Sequence, residues 1–315
     1  MIKGLAETFG IDFGTTNSAV ARLDGSSARL ARFTTPQGPT ETFRSILYFE
    51  PKPARGTEPV HAGPAAVEHY RQAAHKGRFI QSLKAYLGDA GFTGTMIGGR
   101  HRTLPQLISL ILQRLLNAAA DDFGVRPARA IIGRPVHFTV ARSEEHDQLA
   151  LSRMREALDL AGITDFEFEF EPVAAAYAYR QRLTKAATVL IGDFGGGTSD
   201  FSILRLEPVG AGPSGVHILG NDGVAVAGDA FDRVIVRHAV APQLGRGSEY
   251  LSPPDKVLPM PEWVYARLER WHHLSFLKSG ETLEMLRRIQ KTSTAKQALA
   301  ALLYLVEEDL GYELH

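Results

Sequence analysis

Two short segments of the chain carry the same chemistry. Asp12-Phe13-Gly14-Thr15-Thr16-Asn17 lies near the start, and Asp193-Phe194-Gly195-Gly196-Gly197-Thr198 lies in the second half. Each follows an apolar approach and runs into an apolar or alternating stretch, at 18–21 and at 201–204, which is the pattern of a β-hairpin with a tight glycine turn. A turn built on glycine brings backbone N–H groups close to an anion, because no Cβ intervenes and positive φ is free. Threonine hydroxyls add side-chain donors, and an aspartate two residues before the glycine can hold a hydrated divalent metal. Asp and Gly also make ordinary turns, so one such segment carries little. Two of them in matching strand contexts predict duplicated units that grip one polyphosphate from opposite sides.

The elements that must position these loops read as a mixture of strands and helices. Alternating or apolar runs predict strands at 28–33 and 44–49. Residues from about 50 to 103 are rich in Gly, Pro, His and basic side chains and predict an inserted subdomain with one helix near 65–72. Apolar residues at helical spacing follow over 104–119, with Pro105 allowed in the first turn. A short buried strand is expected at 130–133, then a polar helix over 143–161 that Gly162 can end. Phe166, Phe168 and Phe170 alternate strictly, a strand whose aromatic stripe belongs to the core. Glu171-Pro172 closes that strand and a helix begins at Val173; the strand at 188–191 opens the second duplicated unit, and 207–214 reads as a hairpin loop. Gly228-Asp229-Ala230-Phe231-Asp232 introduces another helix, and beyond Pro253 the pattern is helical, with one helix through 263–277 and two more after it. The whole predicts an α/β fold of two lobes, 1–186 and 187–315.

Composition narrows the function. The 315 residues are 44% hydrophobic and 22% charged, with 35 Lys+Arg balanced by 35 Asp+Glu. No electrostatic footprint for nucleic acid is present, and Arg287-Arg288 reads as a solvated helix face. The absence of cysteine excludes disulfides and thiolate metal sites. The first seven residues lack the apolar core of a signal peptide, and the longest apolar stretch, 298–306, is too short to span a bilayer. A cytoplasmic protein with no membrane partner is expected. No Gly-x-x-x-x-Gly-Lys-Ser/Thr string occurs, so a P-loop site is excluded at the level of motif.

Gly10-Ile11-Asp12-Phe13-Gly14-Thr15-Thr16-Asn17-Ser18 resembles the first phosphate loop of the DnaK-type chaperones, the seventy-kilodalton heat-shock family. The stretch from Leu190 through Asp193 and Gly195-Gly196-Gly197-Thr198 to Asp200 resembles their second phosphate loop. Glu171-Pro172-Val173-Ala174-Ala175-Ala176-Tyr177 is similar to the hinge between their lobes, and the segment at Gly228 and Asp229 to their glycine-acidic-Phe-Asp signature. The tryptophan-bearing segment with Trp263, Trp271, His272 and His273 is more similar to the shorter YegD-type branch.

The resemblance implies an actin-like ATPase superfold, ribonuclease H-like in each lobe, that binds ATP or ADP with Mg2+. It implies that Asp12 and Asp193 hold the water shell of the metal. Gly14, Thr15, Thr16, Asn17, Gly195, Gly196, Gly197 and Thr198 would cradle phosphate, and Gly228 and Asp229 would contact the nucleotide. It gives Lys84, Glu171, Asp193 and Asp12 catalytic roles, the lysine stabilising the reacting phosphoryl group and Glu171 lying near the metal and attacking water. Pro135 falls where the family couples nucleotide state to its outer surface. Client or regulatory proteins are the implied partners.

Ordinary readings stand beside these. A solitary lysine near a helix end is commonly solvated, Glu171 can be a strand-end carboxylate, and Asp200 can simply solvate a strand. Adjacent His272 and His273 point to different helix faces and so suit packing rather than a metal. The resemblance also implies that the adenosine-clamping helix opening near 307–315 and a later glycine-rich turn lie beyond the chain, a nucleotide domain cut short. Two other functions remain open: a non-enzymatic interaction or scaffold module that keeps the fold, and another member of the superfold, such as a sugar kinase or filament former.

Overall fold

The computed structural model describes residues 8–24, 27–51, 60–73, 77–97, 99–138, 143–210, 215–308 and 310–311, apart from the side chains of Trp271, His272 and Ser275. The expected features at 1–7, at 211–214 of the hairpin loop, at 309 and 312–315, and the Trp271 and His272 side chains lie outside the described residues. Contacts divide the chain into two compact units, Met1–Ala227 and Gly228–His315.

The first unit is built on a mixed sheet. Strands β1 (Thr8–Phe13), β2 (Asn17–Asp24) and β3 (Ser27–Leu30) form an antiparallel meander. The strand Arg129–Arg134 lies parallel to β1, and Asp165–Phe170 lies parallel to that in turn. Alternation sets the faces: Phe9, Ile11 and Phe13 of β1 are buried, while Gly10 and Asp12 point the other way. The expected single strands at 28–33 and 44–49 are each broken. The first stops at Leu30, although the N–H of fully buried Ala31 still bonds the carbonyl of Val20 at 2.8 Å in the register of the β2–β3 ladder. The second divides at Ser45 because Phe43–Arg44 pairs with β2 whereas Ile46–Phe49 leaves that sheet.

Ile46–Phe49 pairs instead with Val60–Ala62 and Arg78–Gln81 in a separate antiparallel sheet. Helix α1 (Pro64–Gln72) packs on it, and a 3₁₀ turn, Leu83–Tyr86, leads on to the hairpin Gly94–Ile97/Arg100–Thr103. Helix α2 (Leu104–Phe123) starts on a capping box between Thr103 and Gln106 and ends at Gly124 with φ 71°. It runs four residues past the expected Ala119 because Phe123 is itself buried, with the Arg29 guanidinium 4.5 Å above its ring. Helix α3 (Glu144–Ala161) stops at Gly162, φ 89°, as expected. Both helices share one core with the sheet, to which Leu107, Ile108, Ile111, Leu115, Met154 and Leu158 belong together with the β1 aromatics. Each large side chain so buried contributes about 1.5–3 kcal/mol.

Helix α4 (Glu171–Arg180) follows directly on Asp165–Phe170 and packs Val173 and Ala176 against Leu204 and Leu206 of a second sheet. That sheet is an antiparallel meander of Ala187–Phe194, Ser199–Leu206 and Val216–Val224. Its other face exposes Leu190, Phe194 and Ile203. Among the described residues no strand lies against the free edge of Ala187–Phe194.

The second unit opens with α5 (Gly228–Ile235) and encloses its own core, centred on Val264, Tyr265, Leu268, Leu302 and Leu303. The helix expected through 263–277 is two pieces, α6 (Glu262–Leu268) and a 3₁₀ stretch, Trp271–Lys278, separated by extended Arg270. Buried Leu268 and Leu274 are six residues apart, out of phase on one α-helix, so the break lets both reach the same core. The region after Pro253, expected to be helical, begins as a hairpin, Glu249–Ser252 with Lys256–Pro259. Helices α7 (Gly280–Thr292) and α8 (Lys296–Glu307) complete the unit. No helix of the described residues is long and apolar enough to cross a membrane.

Candidate functional site

Both glycine segments are hairpin turns, and they are built in the same register. Phe13 pairs with Ser18 and Asp12 with Ala19; in the second sheet Phe194 pairs with Ser199 and Asp193 with Asp200. Each turn therefore consists of the four residues between its closing pair, 14–17 and 195–198. Each aspartate is the penultimate residue of the incoming strand. In the first turn a Cβ on Gly14 would strike the carbonyl oxygen of Asn17, so only glycine fits. Ser45 holds that turn from the side, donating its N–H to the carbonyl of Thr16 at 2.8 Å and sharing a 2.8 Å hydroxyl contact with buried Ser18. In the second turn the Gly195 N–H bonds the Thr198 carbonyl at 2.9 Å.

The ionisable groups converge on the same region. Lys84 is buried, and its Nζ lies 2.7 Å from Oε1 of Glu171, the first residue of α4. Burial pushes the Lys84 ammonium down, yet the Glu171 and Asp12 carboxylates outweigh it and leave the group above its ordinary value. Lys84 is thus a fixed cation and not the solvated surface lysine that its sequence context allowed. Asp12 still reaches solvent but is hemmed in by protein on its other sides. Its withdrawal from bulk water, opposed by Lys84 and reinforced by Glu171, raises it above the usual carboxylate range. Asp193 is raised by partial burial and by Glu171, Asp12 and Asp200, against the lowering effect of Lys84. The electrostatics therefore bring Asp12, Lys84, Glu171, Asp193 and Asp200 into mutual range.

Several residues that sequence reasoning undervalued hold this arrangement. Asp200 is not a solvated strand residue but is 1% exposed, and its Oδ1 accepts the Val136 N–H at 2.9 Å. Burial raises it, against the Thr198 hydroxyl and the Val136 and His137 N–H groups, which favour its charge. This bond ties the second hairpin to the turn at Arg134-Pro135-Val136, where the Arg134 guanidinium also folds back on the carbonyls of Pro135 and Val136. Gly133 lets Glu171 cross over its strand, since a Cβ there would come within 3.2 Å of Glu171 Cγ.

Lys84 is aimed by its own turn. Ser82, two residues before it, is left-handed with φ 55°, the one non-glycine residue with positive φ among those described, and its buried Oγ has no partner. Strain of that kind persists only where its surroundings impose it. Arg153 of α3 braces the segment after Lys84, donating from Nη1 to the carbonyls of Tyr86, Leu87 and Asp89 at 3.2, 3.0 and 2.8 Å. Nothing local in the sequence marks Arg153. For Asp200 the available signal was the equal length of the two glycine segments, which sets it opposite Asp193.

Thr15, Thr16, Gly196, Gly197 and Thr198 are half-buried at the two turns, and Asn17 is exposed. Gly228 and Asp229 open α5 and belong to the second unit. The donor set fits a magnesium-type ion. Four carboxylates share one facing lysine, three of them are held above their ordinary values, and every candidate ligand is oxygen, as a hard divalent cation requires. The model of one protein family, described as Hsp70 protein, matches residues 80–246, just over half of the chain and the part that holds Lys84, Glu171 and the second hairpin.

Proposed function

The chain belongs to the Hsp70 protein family, and from that premise we propose that it binds ATP with magnesium between its two glycine hairpins and hydrolyses it to ADP and phosphate. Membership gives the coarse character: an actin-like ATPase fold in a family of chaperone-like proteins that bind ATP or ADP with Mg2+ and act on clients. The single observation that carries the finer reading is the buried Lys84–Glu171 pair within range of Asp12 and Asp193.

In this reading Gly14, Thr15, Thr16 and Asn17 of the first turn and Gly195, Gly196, Gly197 and Thr198 of the second offer N–H and hydroxyl donors to the phosphates. Asp12 and Asp193 would hold magnesium, which when bound would neutralise phosphate charge. Glu171 orients a water for attack on the γ-phosphorus and accepts its proton, while the bond from phosphorus to the β–γ bridging oxygen breaks and ADP leaves. Lys84 stabilises the charge that builds on the γ-oxygens. Its raised value supports this role, since it keeps the ammonium charged at neutral pH. Asp200, bonded to the Val136 N–H, links the second turn to Pro135, a route by which nucleotide state reaches the surface.

The same proposal puts the protein in the YegD-type branch and in the cytoplasm, with lobes at 1–186 and 187–315. Phosphate release from ATP and Mg2+ tests it. Lys84→Ala should lower the rate by about a hundredfold, the scale for losing a positioned electrostatic group. A chain that binds ATP without measurable release would favour the scaffold reading, and release at the parental rate in Lys84→Ala would remove the lysine from the reaction.

A further inference from the structure

A second group of ligand-type side chains stands apart from the glycine hairpins. Glu50 follows the strand Ile46–Phe49, His61 lies on the neighbouring strand Val60–Ala62, and His69 lies in α1. His61 Nε2 is 2.8 Å from Glu50 Oε1, and His69 Nδ1 is 3.9 Å from the same oxygen. The three donor atoms all lie within 4.8 Å of one another. The two imidazoles stack face to face, centroids 3.6 Å apart at 15°, and the Tyr48 ring lies 6.1 Å beyond His61.

A histidine–carboxylate pair needs only one imidazole. The second, stacked on the first, lies 3.9 Å from the same carboxylate oxygen, too far for a hydrogen bond. Two imidazoles and a carboxylate, delivered by three separate elements, make instead the donor set of a borderline divalent ion with open positions for water. We propose that Glu50, His61 and His69 bind zinc. Donors around a tetrahedral zinc sit about 3.4 Å apart, and the two observed separations from Glu50 Oε1 fall on either side of that value. The stacked rings must turn so that their lone pairs converge. Side-chain exposures of 22%, 32% and 42% for His61, Glu50 and His69 leave them room to do so. Imidazole also separates this site from the all-oxygen cluster at the hairpins, which suits a hard cation. Bound zinc would join the strand ends to α1.

Cobalt(II), which gives visible ligand-field bands when four-coordinate, is the probe on the full 315-residue chain. One equivalent should develop those bands and zinc should abolish them. His61→Ala and His69→Ala should each weaken binding tenfold or more, and Asp12→Asn/Asp193→Asn should leave the bands intact. His69→Gln, on a half-exposed helix position, serves where His61→Ala unfolds, and circular dichroism without metal checks each variant. Absence of the bands at saturating cobalt, or bands of undiminished affinity in His69→Gln, would overturn the site.

Discussion

Replacing Lys84 by methionine tests the buried cation without emptying its space. The side chains of Lys84 and Glu171 are 10% and 18% exposed, with Nζ and Oε1 2.7 Å apart. Removing one partner of a buried pair costs about 3–5 kcal/mol. The Glu171 side opens on water and Asp12 reaches solvent, so the lower end applies, about 3 kcal/mol. With a urea dependence of about 2–3 kcal/mol per molar for a unit of this size, the midpoint should fall by about 1 M. Far-UV circular dichroism is the assay; both tryptophans, Trp263 and Trp271, lie in the second unit, so their fluorescence serves as an internal control. The pH dependence follows with its sign. Lys84 is raised, so the stability it contributes is present below its unfolded value of 10.5 and is lost as pH rises through the higher folded value. Asp12, Asp193 and Asp200 are raised, so the native state holds extra protons above 3.8 and loses stability as pH rises through their folded values. Lys84→Met leaves those carboxylates without a cation, and its deficit should shrink on acidification. An unchanged midpoint at neutral pH, or a deficit that grows as pH falls, would refute the reasoning.

Two further substitutions separate positioning from charge. Ser82→Gly should relieve the left-handed strain and raise stability by about 1 kcal/mol in urea unfolding, while loosening Lys84 enough to slow phosphate release; a loss of stability would show that Ser82 is not strained. Asp12→Asn removes a charge that the fold disfavours, so the ligand-free protein should melt later, by about 2 °C, yet lose any stabilisation by ATP and Mg2+; earlier melting without ligand would contradict the direction of the Asp12 shift.

The glycine turns were legible because a hairpin of this kind needs residues without a Cβ, and duplication made Asp12 and Asp193 stand out together. Helices α2 and α3 were legible from their caps and periodicity. The partnership of Lys84 with Glu171 spans 87 residues of sequence, and no local pattern encodes it. Arg153 is hidden for the same reason, since its targets are backbone carbonyls, which any sequence offers. The break at Ser45 comes from a change of partner that no local pattern encodes, Phe43–Arg44 pairing with β2 and Ile46–Phe49 with Val60–Ala62 and Arg78–Gln81. In the second unit the chain beyond Pro253 read as helical, whereas Pro253 and Pro254 sit in the turn of the hairpin Glu249–Ser252/Lys256–Pro259.

Calorimetric titration of ATP into the chain, with and without Mg2+, tests the central claim most directly. The account predicts binding that strengthens with magnesium, and at least a tenfold loss of that magnesium-dependent affinity in Asp12→Asn and in Asp193→Asn alike, because the paired hairpins act on one ligand. Binding indifferent to magnesium, or affinity unchanged by either substitution, would contradict it.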